Sequence, residues 1–172
     1  MELENAIRGR RSIREYTAEN VPQRLIDEAL ELASWAPSAG NLQSRDFIII
    51  RNQQTKEDLV TAALGQEFIA RAPVVVVAVA NLERVAHYGK RGRELYAIQD
   101  AAAAVQNLML ALYERGLGSV WIGAFDEKEA RRALGLPAHA RPVAILPVGY
   151  PAEHPEPREH LPANECIHHE EW

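Results

Sequence analysis

Cysteine is nearly absent from this 172-residue chain: Cys166 stands alone, so no disulfide can form within one molecule. A chain without disulfides fits a reducing compartment, and a cytoplasmic location is expected. The N-terminus carries Glu2 and Glu4 and no apolar core segment, unlike a secretory signal. Long apolar runs are missing too. Ala101 to Val105 and Leu108 to Leu112 are short, Gln106 and Asn107 separate them, and Val74 to Ala80 is little longer. Each is far too short to cross a bilayer, so no membrane partner is expected. Positive charge is not in excess. A net charge of −5 gives no general basic face for nucleic acid, though a local basic cluster can still meet a phosphorylated ligand. There is no internal repeat and no low-complexity block. Six histidines are present, at 87, 139, 154, 160, 168 and 169. No pair of them sits at helical metal-ligand spacing with a third clear ligand, so no metal site is expected.

What is present suits a single soluble domain spanning 1–172: 47% of residues are hydrophobic and 25% charged. Leu3, Ala6 and Ile7 give a short helical face that Gly9 can end. Pro22 sits well as a first helical residue ahead of Leu25, Ile26, Ala29, Leu30 and Ala33 at helical spacing. Phe47 to Ile50 reads as a buried strand. Thr55 with Asp58 reads as the next helix start. Val74 to Val79, apolar and β-branched, predicts a central strand. Asn81 to Arg93 is polar and mixed and predicts a mobile loop, with Tyr88 a candidate aromatic lid residue; a plain surface loop fits it equally. Glu94 to Arg115 predicts a long buried helix capped by Gly116. Ser119 to Ile122 reads as a strand, and Asp126 with Glu129 as a helix start that Gly135 closes. Val143 to Val148 predicts a further strand, placed at an edge or ending there because Pro147 would lose a ladder bond in a central one. From Pro151 onward four prolines predict an extended tail, whose ordering requires a surface to dock on.

Three segments can carry chemistry. Arg10, Arg11 and Arg14 flank Ser12, and their rigid donor forks suit a phosphate or carboxylate; a solvated basic face after a helix is an equal reading. Pro37-Ser38-Ala39-Gly40-Asn41-Leu42-Gln43 offers close backbone approach at Gly40 and paired donors and acceptors at Asn41 and Gln43, suited to a heterocycle. An ordinary helix-ending loop fits it as well. Gly116-Leu117-Gly118-Ser119-Val120-Trp121-Ile122-Gly123-Ala124 is not a dinucleotide fingerprint, because its third glycine falls too late and it leaves a helix to enter a strand. Gly123 can present a backbone N–H to a flat ligand, or can be a turn glycine beside a core tryptophan. Cys166 has no activating neighbour in sequence and reads as an inert thiol.

In this order and at these separations the segments resemble the nitroreductase family. The likeness runs through Arg10-Arg11-Ser12-Ile13-Arg14, Ala36 to Gln43, Gly116-Leu117-Gly118, Trp121-Ile122-Gly123-Ala124 and Pro147-Val148-Gly149-Tyr150-Pro151, nearly the whole chain. It implies an α+β fold: a three-layer α/β/α sandwich around an antiparallel-dominated sheet, assembled as an intertwined homodimer. The tail at 151–172 would dock on the partner subunit. The resemblance further implies two FMN molecules at the subunit interface. Arg10, Ser12 and Arg14 would serve the phosphate, ribityl chain and pyrimidine edge, with Arg11 acting through its backbone. Pro37, Ser38, Ala39 and Asn41 of the other subunit would pack on the isoalloxazine. Ile122 and Gly123 would line the ring near N5, Gln66 would reach the pyrimidine edge, and Arg158 would bind phosphate. His160 departs from the family, where a second arginine is common at that position; a neutral histidine holds phosphate less firmly, which implies weaker FMN retention at alkaline pH. The implied activity is ping-pong transfer of hydride from NAD(P)H to small organic acceptors such as nitroaromatics or quinones. Its alternatives are a flavin carrier without turnover and a dehalogenating or flavin-consuming member of the same superfamily.

Overall fold

Valine and isoleucine are stiff at χ1 and sit well on a pleated surface. The computed structural model, which describes residues 1–172, turns the β-branched runs into its long strands. Strands β1 (Arg45–Ile50), β2 (Val74–Asn81), β3 (Gly118–Ser119) and β4 (Ala140–Gly149) form one antiparallel sheet in the order β1-β2-β4-β3. Around it lie α1 (Leu3–Gly9), α2 (Gln23–Ser34), α3 (Gln53–Ala62), α4 (Phe68–Arg71), a single turn α5 (Gly89–Arg91), α6 (Ala97–Glu114) and α7 (Glu127–Leu134).

The alternation of β2 builds the three layers. Val74, Val76 and Ala78 share one core with Ile26, Ala29 and Ala33 of α2 and Leu108 and Leu112 of α6. Val75, Val77 and Val79 share the opposite core with Leu59 of α3, Ile69 of α4 and Ala130 of α7. Each valine so buried contributes about 1.5–3 kcal/mol, and a slip of one residue would exchange the two sets. This is the three-layer sandwich with an antiparallel sheet that the resemblance implied. No helix is long and apolar enough to cross a membrane.

Several boundaries differ from the sequence reading. Pro22 is the residue before α2, with extended backbone, not its first helical residue. Helix α3 starts a turn earlier than Thr55: the Asn52 side chain accepts the Thr55 N–H at 3.0 Å and caps it. The stretch between β2 and α6 is not a plain loop. It forms a 3₁₀ turn at Ala86–Tyr88, then α5, then a π-helical turn at Gly92–Tyr96 that leads into α6. Gly92 lets it fold tightly, since a Cβ there would strike the Val85 carbonyl. The strand expected over Ser119 to Ile122 is only two residues long, after which Ile122 makes a separate bridge to Ile145.

The proline in β4 is the clearest correction, because β4 lies inside the sheet rather than at its edge. The carbonyl of Pro147 accepts the Tyr16 hydroxyl at 3.2 Å, so its nitrogen faces the same side, away from β2. On that side it falls between the Ile145–Ile122 bridge and the Gly149–Gly118 pairing. No ladder bond is lost there, so an interior strand tolerates the ring.

Candidate cofactor site

Helix α1 ends at Gly9, and the chain runs on beside β3: Ser12 bridges Ser119 in parallel, and the Ile13 N–H donates to the Ser119 carbonyl at 3.1 Å. Gly118 permits this approach, because a Cβ there would lie 2.8 Å from Ile13. The Arg11 guanidinium folds back onto the Arg8 and Arg10 carbonyls, at 2.7 and 3.0 Å, and satisfies the end of α1. That leaves Arg10, Ser12 and Arg14 facing a cavity of about 1200 Å³, which Arg158 and His160 of the tail also line. The structure therefore brings the predicted basic residues of both termini together within one chain.

The electrostatics of this cavity call for an anion. Arg10 Nη1 is buried and has no hydrogen-bond partner. Burial, and next the like charge of Arg11, pushes the Arg10 guanidinium below its ordinary pKa. Arg10, Arg11, Arg14 and Arg158 form no ion pair with any carboxylate. Of the three acids that line the cavity, Glu4 and Glu153 are engaged elsewhere, and Glu156 pairs with none of the arginines. Glu4 pairs with Arg8 at 2.7 Å. Glu153 accepts the backbone N–H groups of Arg14 and Glu15 at 2.5 and 3.1 Å, fixing the root of the tail. A buried, unpaired donor on a charged group is costly unless a ligand meets it.

Beyond β3 lie Ile122, Gly123 and Gln66, which do not line that cavity; Gly123 lines a separate hollow of about 280 Å³ with Phe125 and Arg141. The side chain of Ile122 is buried in the core and its N–H donates to the Ile145 carbonyl at 3.0 Å, so it packs behind this second surface. Gly123 is exposed, and its N–H donates to no acceptor in the chain. Nothing local demands glycine there: its φ is not positive, and a Cβ would come no nearer than 3.7 Å to the Trp121 ring. Close approach by something outside the chain is the physical reason left. Gln66 donates through Nε2 to the Ala63 and Ala124 carbonyls, at 3.0 and 3.2 Å, which leaves its Oε1 as a free acceptor beside Gly123. Phe68 closes the strip by lying under Arg14, 5.9 Å from guanidinium carbon to ring centroid. The sequence reading missed Phe68, although its nearness to Gln66 was the available signal.

The Pro37–Gln43 loop stands apart. No hydrogen bond joins it to Arg10–Arg14, and it lines no cavity with them. It lies instead against the start of α6, where the buried Asp100 accepts the Ala39 N–H at 2.9 Å and the Ser44 hydroxyl at 2.5 Å. Ser38 Oγ accepts the Gln43 N–H at 3.0 Å, and Tyr88 sits over Gly40, where a Cβ would meet its hydroxyl. Asp100, Ser44 and Arg84 carried no sequence signal, because each acts through a backbone group that only the fold brings near.

A model described as the nitroreductase family matches residues 7–67 and 58–150. The chain is 37% identical to an NADH dehydrogenase of Thermus thermophilus, over 97% of this chain and 95% of that one. It is 32% identical to an FMN reductase [NAD(P)H] of Bacillus subtilis, over 99% of this chain and 74% of that one. Among solved structures, NfrA2 of B. megaterium superposes with a TM-score of 0.90 at 28% identity, covering 98% of this chain and 74% of that one.

Proposed function

Because the chain belongs to the nitroreductase family, we propose that it is a homodimeric, FMN-dependent oxidoreductase that takes electrons from NAD(P)H and reduces small organic acceptors such as nitroaromatics or quinones. The observation that carries this is the buried, unpartnered Nη1 of Arg10 in a cavity shared with Ser12, Arg14, Arg158 and His160. Arginine forks and a serine hydroxyl are a phosphate-binding donor set. A family relative named for FMN and NAD(P)H points to the same phosphorylated cofactor.

The residues fit FMN at both ends. Arg10, Ser12, Arg14 and Arg158 hold its phosphate side, with His160 as a further ring N–H donor. Gly123 offers an N–H, and Gln66 Oε1 an acceptor, to the heterocycle. When bound, FMN supplies the hydride acceptor and donor chemistry, which needs no side-chain nucleophile. The chain's own part is to orient the ring, to admit donor and acceptor in turn, and to place positive charge near the pyrimidine edge. There Arg10 or Arg14 stabilises the charge of the reduced state.

The homodimer rests on what one chain leaves uncovered. Leu3, Ile7, Leu32, Trp35 and Trp121 are exposed, and large apolar side chains of this kind mark contact surfaces. Beyond Glu153 the tail forms no hydrogen bond with the body of its own chain. The Pro37–Gln43 loop of a second copy would then face the ring held by the first, which accounts for its distance from Arg10–Arg14 within one chain.

The deciding experiment is the visible spectrum of purified protein before and after FMN loading and desalting. Flavin bands retained at about one per chain are expected. A colourless protein overturns the reading. Bleaching of those bands by NADH or NADPH without oxygen separates an oxidoreductase from a flavin carrier.

A further inference from the structure

We propose that Asp100 is a positioning residue: from the first turn of α6 it sets the shape of the Pro37–Gln43 loop that faces the flavin ring of the partner subunit. This rests on the functional reading above and adds a residue that the reading does not need.

The loop turns through the left-handed region at Gly40, Asn41 and Gln43, with φ of 57°, 57° and 51°. Glycine and asparagine reach that region readily, so it is Gln43 that its surroundings must hold. Asp100 does much of the holding. One carboxylate oxygen accepts the Ala39 N–H at 2.9 Å, before the left-handed stretch. The other accepts Ser44 Oγ at 2.5 Å and the Ser44 N–H at 3.4 Å, after it. The grip thus spans the whole turn. Arg84 adds a hold on the far side through the Gln43 and Arg45 carbonyls, at 2.7 and 2.8 Å. Arg45 secures the end of α2 through the Ser34 and Ala36 carbonyls, at 2.5 and 3.1 Å.

This arrangement is costly to keep. Asp100 is 4% exposed and Ser44 is fully buried, yet Asp100 forms no ion pair. Its charge is met by the loop's donors and by the Arg45 guanidinium, which feels the Asp100 carboxylate at a distance beyond an ion pair. A small apolar residue would join the alanines around it, Ala97, Ala101 and Ala104, without that desolvation. The return is a loop that presents Ala39 and the unbonded side chain of Asn41 in one fixed geometry. That loop is remote from the phosphate cavity, so Asp100 acts on the ring end of the cofactor alone.

The test is the affinity of the dimer for FMN and for riboflavin, which lacks the phosphate, read by quenching of flavin fluorescence. In Asp100→Asn an amide donor meets the Ala39 N–H or the Ser44 hydroxyl. Both dissociation constants should then rise about tenfold, the yield expected from losing a hydrogen bond to a charged group. The ratio of riboflavin to FMN dissociation constants should stay at its wild-type value, and the bound flavin's absorption bands should shift. Ser44→Ala, which keeps the Asp100 charge and its bond to Ala39, should move both constants in the same direction by less and lower the melting temperature by a few degrees, and it carries the test if Asp100→Asn does not fold. Arg158→Ala should instead shrink the ratio. Folded variants at Asp100 and Ser44 that bind riboflavin as the wild type does, or that lose FMN alone, overturn the proposal and leave the functional reading standing. A wild-type protein that binds neither flavin overturns the functional reading itself.

Discussion

Three glycines separate demands of the fold from demands of the site. At Gly118 and Gly149 an added Cβ would lie 2.8 Å from Ile13 and from Pro73 respectively, both packed and unable to retreat. Gly118→Ala and Gly149→Ala are each expected to destabilise the protein by about 1–3 kcal/mol, as overpacking does, and thermal or urea melts would read it. Gly123→Ala meets nothing closer than 3.7 Å. It should melt with the wild type and yet bind FMN more weakly, because the methyl stands where the ring approaches; unchanged affinity would remove Gly123 from the site. His160 allows a complementary gain. His160→Arg adds a fixed charge and a bidentate fork to the cavity and should hold FMN several-fold more firmly, which a fluorescence titration of both proteins with FMN would reveal. At this scale the sequence pointed to residues whose own side chains offer chemistry, and of these the structure gathers Arg10, Ser12 and Arg14 on one cavity while Gln66 lies outside it. Phe68, Asp100 and Glu153 were not legible. Their value lies in partners at distant positions, and charge or aromaticity alone does not announce that.

Elements were legible where one rule governed them. Val74 to Val79 could only be a buried strand, and Gly135, left-handed at φ 61°, ends α7 as its position suggested. Pro147 was misjudged because the rule against proline in interior strands concerns the side that the missing N–H faces. That side is fixed by pairings with Ile122 and Gly118, which no local pattern encodes. The segment after β2 was misjudged because its turns are held by Gly92 under the Val85 carbonyl and by stacked rings, with Tyr88 and Tyr96 edge to face at 5.4 Å. Helix α7 yields a prediction with a definite sign. Asp126 caps it by accepting the Lys128 and Glu129 N–H groups at 2.8 and 3.0 Å, and these bonds hold its carboxyl below the ordinary value. A depressed carboxyl stabilises the folded state above its unfolded pKa, and that contribution is lost as pH falls through the folded value. Asp126→Asn caps without titrating, so it should melt somewhat below the wild type at neutral pH, with the gap closing in acid. A gap constant from neutral to strongly acidic pH would show that the cap charge contributes nothing. Because Asp126 also donates its N–H to Ala62 at 2.8 Å, directly after Gly123 to Phe125, loss of the cap should loosen the site wall as well.

For the whole molecule, the layer order followed from β2 alone; the proposed dimer has no such source, since a partner surface leaves no periodic trace in one chain. The tail makes that arrangement testable in two steps. Its first part, through His160, lines the phosphate cavity of its own chain. Its last part, from Pro162 to Trp172, is exposed throughout and holds only one 3₁₀ turn and the stacked rings of His168 and Trp172, 4.6 Å apart. A chain cut after Leu161 keeps every proposed phosphate ligand and should keep its preference for FMN over riboflavin. It loses only the segment proposed to lie on the partner, so its dimer should dissociate at higher protein concentration in sedimentation. A chain cut after Pro151 also loses Arg158 and His160, and should give up both the dimer and the preference for FMN. If the longer truncation stays as dimeric as the full chain and binds FMN as well, neither role belongs to the tail. If both cuts leave dimerisation unchanged while the cut after Pro151 alone weakens the preference for FMN, the tail is a phosphate clamp, and the proposed dimer must be held by α1, α2 and the exposed Leu3, Ile7, Leu32 and Trp35.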